Sequence, residues 1–229
     1  MSSNFHPDGT LFIVSGPSGA GKTTMINEAR KQLEPIGIKL YFSVSHTTRK
    51  PRNGEVEGKS YYFVNHERFQ EMSARGEFLE WAFVHEQLYG TSKAEVMNRL
   101  ARGEDVILDI DYQGAKQIAA HQDLQERKLN VFIFPPSLDL LERRLRDRGL
   151  NTDKEIDTRL RKEIDEIEAS KEFYDYVIIN DDLKVATECL KAAIISKKLQ
   201  TKTALAAIDR MAERFKEEQK NGRTAGGRG

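Results

Sequence analysis

The chain has 229 residues, with 36 lysines and arginines balanced by 36 aspartates and glutamates, so its formal net charge is zero. That balance argues against a protein that coats nucleic acid or a membrane surface, and a single cysteine, Cys189, excludes an intrachain disulfide and a cysteine-based zinc site. Residues 1–10 lack the apolar stretch of a signal peptide and no apolar run reaches membrane-spanning length, which makes a cytoplasmic location the expectation.

The first predicted strand, Leu11-Phe12-Ile13-Val14, runs into Gly16-Pro17-Ser18-Gly19-Ala20-Gly21-Lys22-Thr23, a match to G-x-x-x-x-G-K-[ST]. A helix is predicted to follow from Thr24 to Leu33, with Met25, Ile26, Ala29 and Leu33 on one face. Strand, loop and helix are the context the motif requires. Glycines let the backbone wrap closely around an oxyanion. Successive N–H groups and the helix N-terminus then supply the partial positive charge a polyphosphate needs. In such a loop Lys22 reaches the β- and γ-phosphates, and the Thr23 hydroxyl joins a Mg²⁺ shell.

Gly37 closes the turn after that helix, and Ile38–Val44 reads as a second strand near the loop in a parallel sheet. From Ser45 to Ser92 the texture changes to one richer in Gly, Arg, Tyr and Phe, as in a small α+β insertion overhanging the phosphate loop. Arg49 and Arg52 lie three apart beside Pro51; two guanidinium forks can make a second anion site, or can be solvated surface. Tyr61–Val64 is hairpin-like. Glu80, between the apolar residues of Phe78-Leu79-Glu80-Trp81-Ala82, needs a partner, whether a structural cation or a ligand. Ser92 is the expected N-cap of a helix over Lys93–Arg102.

Asp105–Asp111 forms the third core strand, ending in carboxylates at the sheet edge where open α/β folds bind ligands. Asp109 suits magnesium-bound water near Thr23, and Asp111 either faces an acceptor or is a strand-end cap; a helix over Gly114–His121 follows. Asn130–Phe134 is the fourth strand. The helix Ser137–Arg148 then turns basic, and after Gly149 a second helix spans Ile156–Phe173. Arg144, Arg148 and Arg159 on this pair fit a mobile lid over a triphosphate, or a salt-bridged hairpin. Tyr176–Asn180 is the fifth strand and Leu183–Leu199 the last core helix. Ala204–Lys220 is helix-prone, and Asn221–Gly229 is expected to be disordered.

Together, Gly16–Thr23, the run Phe42 to Arg52, Gly54-Glu55, Gly58, Tyr61, Phe78-Leu79-Glu80-Trp81, Tyr89-Gly90-Thr91 and Leu108-Asp109-Ile110-Asp111 resemble guanylate kinase of the bacterial type, over about residues 9–190. The resemblance implies an α/β fold: a P-loop NTPase core with a parallel sheet flanked by helices (9–44, 93–142, 170–190), a GMP-binding insertion (45–92) and a helical lid (143–169), followed by a C-terminal helix and tail (191–229). It implies ATP and GMP as substrates, dGMP as a further acceptor, and Mg²⁺ as cofactor. By matching position it places Arg49, Arg52, Tyr61 and Tyr89 at the GMP phosphate, and Ser45, Glu80, Thr91 and Asp111 near the guanine. Gly16–Thr23 would take the ATP phosphates, and Asn180 would lie at the adenine of ATP. Lys22, Arg49, Arg144, Arg148 and Arg159 would carry the transfer, with Thr23 on the metal directly and Asp109 through water. A homo-oligomer is compatible with this reading. The alternative, a non-catalytic binding module of the same fold, is disfavoured by the presence of Lys22 and Thr23.

Overall fold

The computed structural model describes residues 9–84, 86–147, 156, 160, 161, 164, 168 and 172–225. Its centre is a five-stranded, wholly parallel sheet in the order β2-β7-β1-β8-β9. The strands are β1 (Leu11–Ser15), β2 (Leu40–Phe42), β7 (Asp105–Asp109), β8 (Lys128–Phe134) and β9 (Tyr176–Ile179). Alternate residues of a strand face opposite ways, and both faces of β1 are covered. Phe12 and Val14 pack with Met25, Ile26 and Leu33 of α1 (Lys22–Leu33) and with Leu190 and Ile194 of α6 (Leu183–Leu199). Leu11 and Ile13 pack with Val96 and Leu100 of α3 (Lys93–Ala101) and with Ala115 and Ile118 of α4 (Tyr112–Ala119). Burial on two sides explains why the strand sequence is a continuous apolar run rather than an alternating one.

The insertion is a second sheet, β4-β3-β6-β5, built from β3 (His46–Thr47), β4 (Tyr62–Phe63), β5 (Phe78–Val84) and β6 (Gln87–Ser92). With α2 (His66–Ala74) it encloses a small core of its own, in which Phe69 stacks on Phe78 at 4.4 Å. It is tied to the main core through α4. Gln117 accepts from Trp81 N at 3.2 Å and donates to Trp81 O at 2.6 Å, satisfying the open edge of β5.

Three expectations are revised. The second strand is confined to Leu40–Phe42 and lies at the sheet edge, with β7 between it and β1, because after Ser43 bonds Ile107 O the chain leaves for the insertion. Asp111 belongs to no strand: its Oδ1 accepts from Gly114 N at 2.9 Å, which starts α4 at Tyr112, two residues before the expected Gly114. Helix α5 covers Leu138–Asp147 and starts as expected, with Ser137 Oγ accepting from Leu140 N at 3.1 Å; Arg148 and most of the expected second lid helix lie outside the described residues, and Ile156 is buried against Leu141. Finally, α7 runs from Thr201 to Ala225, so helix continues past Asn221, where loss of regular structure was expected.

Candidate active site

The phosphate loop leaves β1 with positive φ angles at Gly16 (140°), Gly19 (99°) and Gly21 (90°). At Gly16 a Cβ would lie 2.2 Å from the Ile133 carbonyl oxygen, so only glycine lets the loop pass the end of β8. Lys22 Nζ donates to the carbonyls of Gly16 and Pro17 at 2.7 and 3.0 Å, and stands 3.9 Å from Asp109 Oδ1. Thr23 donates its hydroxyl to Asp109 Oδ2. Asn180 lies beneath the loop, only 3% exposed, with Nδ2 donating to Ala20 O at 2.6 Å. It is therefore committed to the loop backbone, a long-range contact that strand spacing does not reveal.

A second cation-bearing cradle faces the first. Arg49 lies over the Tyr61 ring at 5.3 Å, and the rings of Tyr61 and Tyr89 are 5.9 Å apart. Burial, and next the negative charge of Asp109, push the Tyr61 hydroxyl up to about 12. Asp109 thus bears on both cradles. Arg49 donates from both terminal nitrogens to Glu55, which also accepts from Arg52 N at 2.7 Å; the Arg52 side chain is exposed at the rim. Sequence spacing assigned Glu55 no role, although it ends the Arg52–Glu55 turn, in which its N–H donates to Arg52 O at 3.1 Å and its carboxylate accepts from Arg52 N.

Beyond the tyrosines lies a buried carboxylate. Glu80 is 4% exposed and its Oε1 accepts from Thr91 Oγ1 at 2.5 Å. Desolvation raises its pKa to about 7; the Thr91 hydroxyl opposes the rise and the charge of Asp111 adds to it. Among the described residues no cation pairs with Glu80, whose carboxylate is held by the Thr91 hydroxyl and the Thr91 backbone. Asp111 serves as the α4 cap while its charge still reaches Glu80. Ser45, half-buried at the start of the insertion, accepts from Tyr62 N at 2.9 Å through its backbone. Lys22, Thr23 and Asp109 thus form one cluster, Arg49, Tyr61 and Tyr89 a second, and Glu80 with Thr91 a third. Arg148, Arg159 and the side chain of Arg144 lie outside the described residues.

Comparison with known proteins gives one consistent result. The family model for guanylate kinase matches residues 8–197. The chain is 45% identical to the guanylate kinase of Carboxydothermus hydrogenoformans over 194 residues, covering 85% of this chain and 91% of the relative. It is 42% identical to that of Clostridioides difficile over 214 residues (93% and 99%), and 48% identical to that of Blochmanniella floridana over 195 residues (84% and 89%). The crystal structure of guanylate kinase from Anaplasma phagocytophilum superimposes with a TM-score of 0.69 at 30% identity, over 86% of this chain and 89% of the other.

Proposed function

The chain belongs to the guanylate kinase family and carries out ATP-dependent phosphorylation of GMP, and we propose that the phosphoryl group passes between the two cradles described above, with dGMP as an alternative acceptor. What supports this reading is Asp109. It takes the Thr23 hydroxyl on the donor side and bears on the Tyr61 hydroxyl on the acceptor side.

The loop Gly16–Thr23 holds the ATP phosphates, with Lys22 released from the carbonyls of Gly16 and Pro17 to reach the β- and γ-oxygens. Asn180 acts on ATP by fixing the loop. Arg49, Arg52, Tyr61 and Tyr89 hold the GMP phosphate. Its attacking oxygen is already anionic near neutral pH (second pKa about 6), so no general base is required. The task of the chain is positioning and charge neutralisation. Arg144, Arg148 and Arg159 complete the charge around the transferring group when the 143–169 segment closes and excludes water.

Mg²⁺ fits the donor set, because the Thr23 hydroxyl and Asp109 carboxylate are hard oxygens beside the phosphate site. Thr23 would hold it directly and Asp109 through water. When bound, the ion would supply positive charge that offsets the charge of the ATP phosphates.

Specificity follows from the chemistry of the base edge. Guanine offers N1–H and the 2-amino group as donors, and an ionised Glu80 only accepts. Adenine puts a lone pair at N1 and has no 2-amino group, and a site built for such a pairing can reject the competitor by ~10⁴-fold or more. Ser45, Thr91 and Asp111 support that edge. We place the protein in the cytoplasm; among the described residues no helix is long and apolar enough to cross a membrane. Nothing favours the non-catalytic binding module. Coupled ADP production measured with GMP, dGMP, AMP, CMP and UMP tests the reading: turnover with GMP and dGMP is expected, and equal rates with AMP would overturn the guanine assignment.

A further inference from the structure

Gly114 is buried in the first turn of α4, a place where a glycine is a poor choice for the helix and alanine a better one. Its N–H is already used by the Asp111 cap, and no unusual backbone angle demands glycine there. The reason lies across the gap to β5. A Cβ at residue 114 would stand 2.3 Å from Glu80 Oε2, 2.9 Å from Cδ and 3.4 Å from Cγ. A side-chain end can normally swing away from such a collision. Glu80 cannot do so freely, since it is 4% exposed and its other oxygen is held by Thr91 at 2.5 Å. One turn further along the same helix, Gln117 bonds both backbone groups of Trp81, the residue after Glu80, and so fixes the strand as well.

We propose that Gly114 is a specificity-positioning residue: the missing side chain leaves the space in which the Glu80 carboxylate lies, and thereby sets where the acceptor-only edge meets the base of the nucleoside monophosphate. The proposal rests on the reading of Glu80 as the guanine acceptor. Adding one methyl group at 114 displaces the carboxylate without touching the phosphate cradles.

The test is steady-state kinetics and thermal melting of Gly114→Ala, Glu80→Asp and the double variant, beside Glu80→Gln. In Gly114→Ala the KM for GMP is expected to rise roughly ten- to a hundredfold and the preference for GMP over AMP to fall, because a built-in polar pairing is misplaced. The KM for ATP and kcat at saturating GMP should change less than about threefold, while the melting temperature is expected to fall by a few degrees, because crowding a buried carboxylate outweighs the gain in helix propensity. In the Glu80→Asp background, where the carboxylate ends one carbon earlier, adding Gly114→Ala should cost less than about threefold, a non-additivity expected only of groups in contact. A GMP KM within about twofold of the parent in Gly114→Ala, while Glu80→Gln still loses discrimination, overturns the role of Gly114 and leaves that of Glu80 standing. So does a loss shared equally between GMP and ATP. An unchanged GMP/AMP preference in Glu80→Gln overturns the underlying reading instead.

Discussion

Arg49 is clamped by Glu55: its two terminal nitrogens donate to Oε2 and Oε1 at 2.9 and 2.8 Å, in the fork-to-fork geometry that suits guanidinium and carboxylate. The pair is largely sheltered, with side chains 14% and 20% exposed, and the hydrogen bonds from Arg49 hold the Glu55 carboxyl below its ordinary range. Glu55 spends the outer edge of the guanidinium. Nε, buried and without a partner, is left on the other edge. The clamp therefore fixes the guanidinium over the Tyr61 ring. Glu55→Gln, which keeps the shape and removes the charge, is expected to raise the KM for GMP severalfold, with kcat and the KM for ATP little changed. A lowered KM for GMP would mean that Glu55 competes with the phosphate. Arg49→Lys should not substitute, because a lysine has no fork to lock.

Asp109 accepts from the Thr23 hydroxyl and lies 3.9 Å from Lys22 Nζ, so its charge can be tested apart from its shape. Asp109→Asn retains an acceptor for the Thr23 hydroxyl but removes the negative charge beside Lys22. A residue that holds a metal through water should then shift the Mg²⁺ titration of the rate at fixed ATP to concentrations roughly ten- to a hundredfold higher. A titration that superimposes on that of the parent would remove Asp109 from the metal site.

How much of this was legible in the sequence depended on whether partners were close along the chain. β1, the phosphate loop and α1 were readable because apolar residues, glycines and Lys-Thr follow one another within 23 residues, and the motif carries its own geometry. The limits of β2 were not, because the chain leaves the sheet after Ser43 to begin the insertion, and propensity alone does not register that departure. The onset of α4 was misplaced because Gly114 looks like a helix break, whereas Asp111 caps the helix ahead of it. The contacts that give Asn180 and Gly114 their meaning, with Ala20 and Glu80, join different layers of the fold and leave no local signature. Glu80 itself was flagged by a local rule: a carboxylate among large apolar residues must have a reason.

Asn180 ties the end of the last strand to the phosphate loop, and that contact has a measurable side. In Asn180→Ala the buried Ala20 carbonyl loses its donor, which costs about 1–3 kcal/mol, and the loop loses its support at Gly21, whose Cα neighbourhood the amide fills. The expected outcome is a raised KM for ATP with the KM for GMP near that of the parent, together with a lower melting temperature. Equal effects on both substrates would show that the loop is held elsewhere.

Glu80 makes the empty enzyme pay in stability for recognition. Its pKa of about 7 lies above the ordinary 4.5, chiefly because burial disfavours the charged form. Between those values the folded state binds more protons than the unfolded one, so this group makes stability fall as pH rises from about 4.5 to about 7, and the cost is complete above that. A shift of that size corresponds to roughly 3 kcal/mol. The guanine pairing proposed for Glu80 needs the opposite form, because a protonated Glu80 would set a hydroxyl against guanine N1–H. Glu80→Gln should therefore melt several degrees higher than the parent at pH 8 and show a flatter dependence of melting temperature on pH, while losing discrimination between GMP and AMP. In the parent, kcat/KM for GMP should rise with pH through about 7, and that part of the rise should be absent from the variant, in which only the phosphate titration of GMP remains. Parallel melting profiles for the two proteins from pH 5 to 8 would show that Glu80 is not carrying the burden assigned to it.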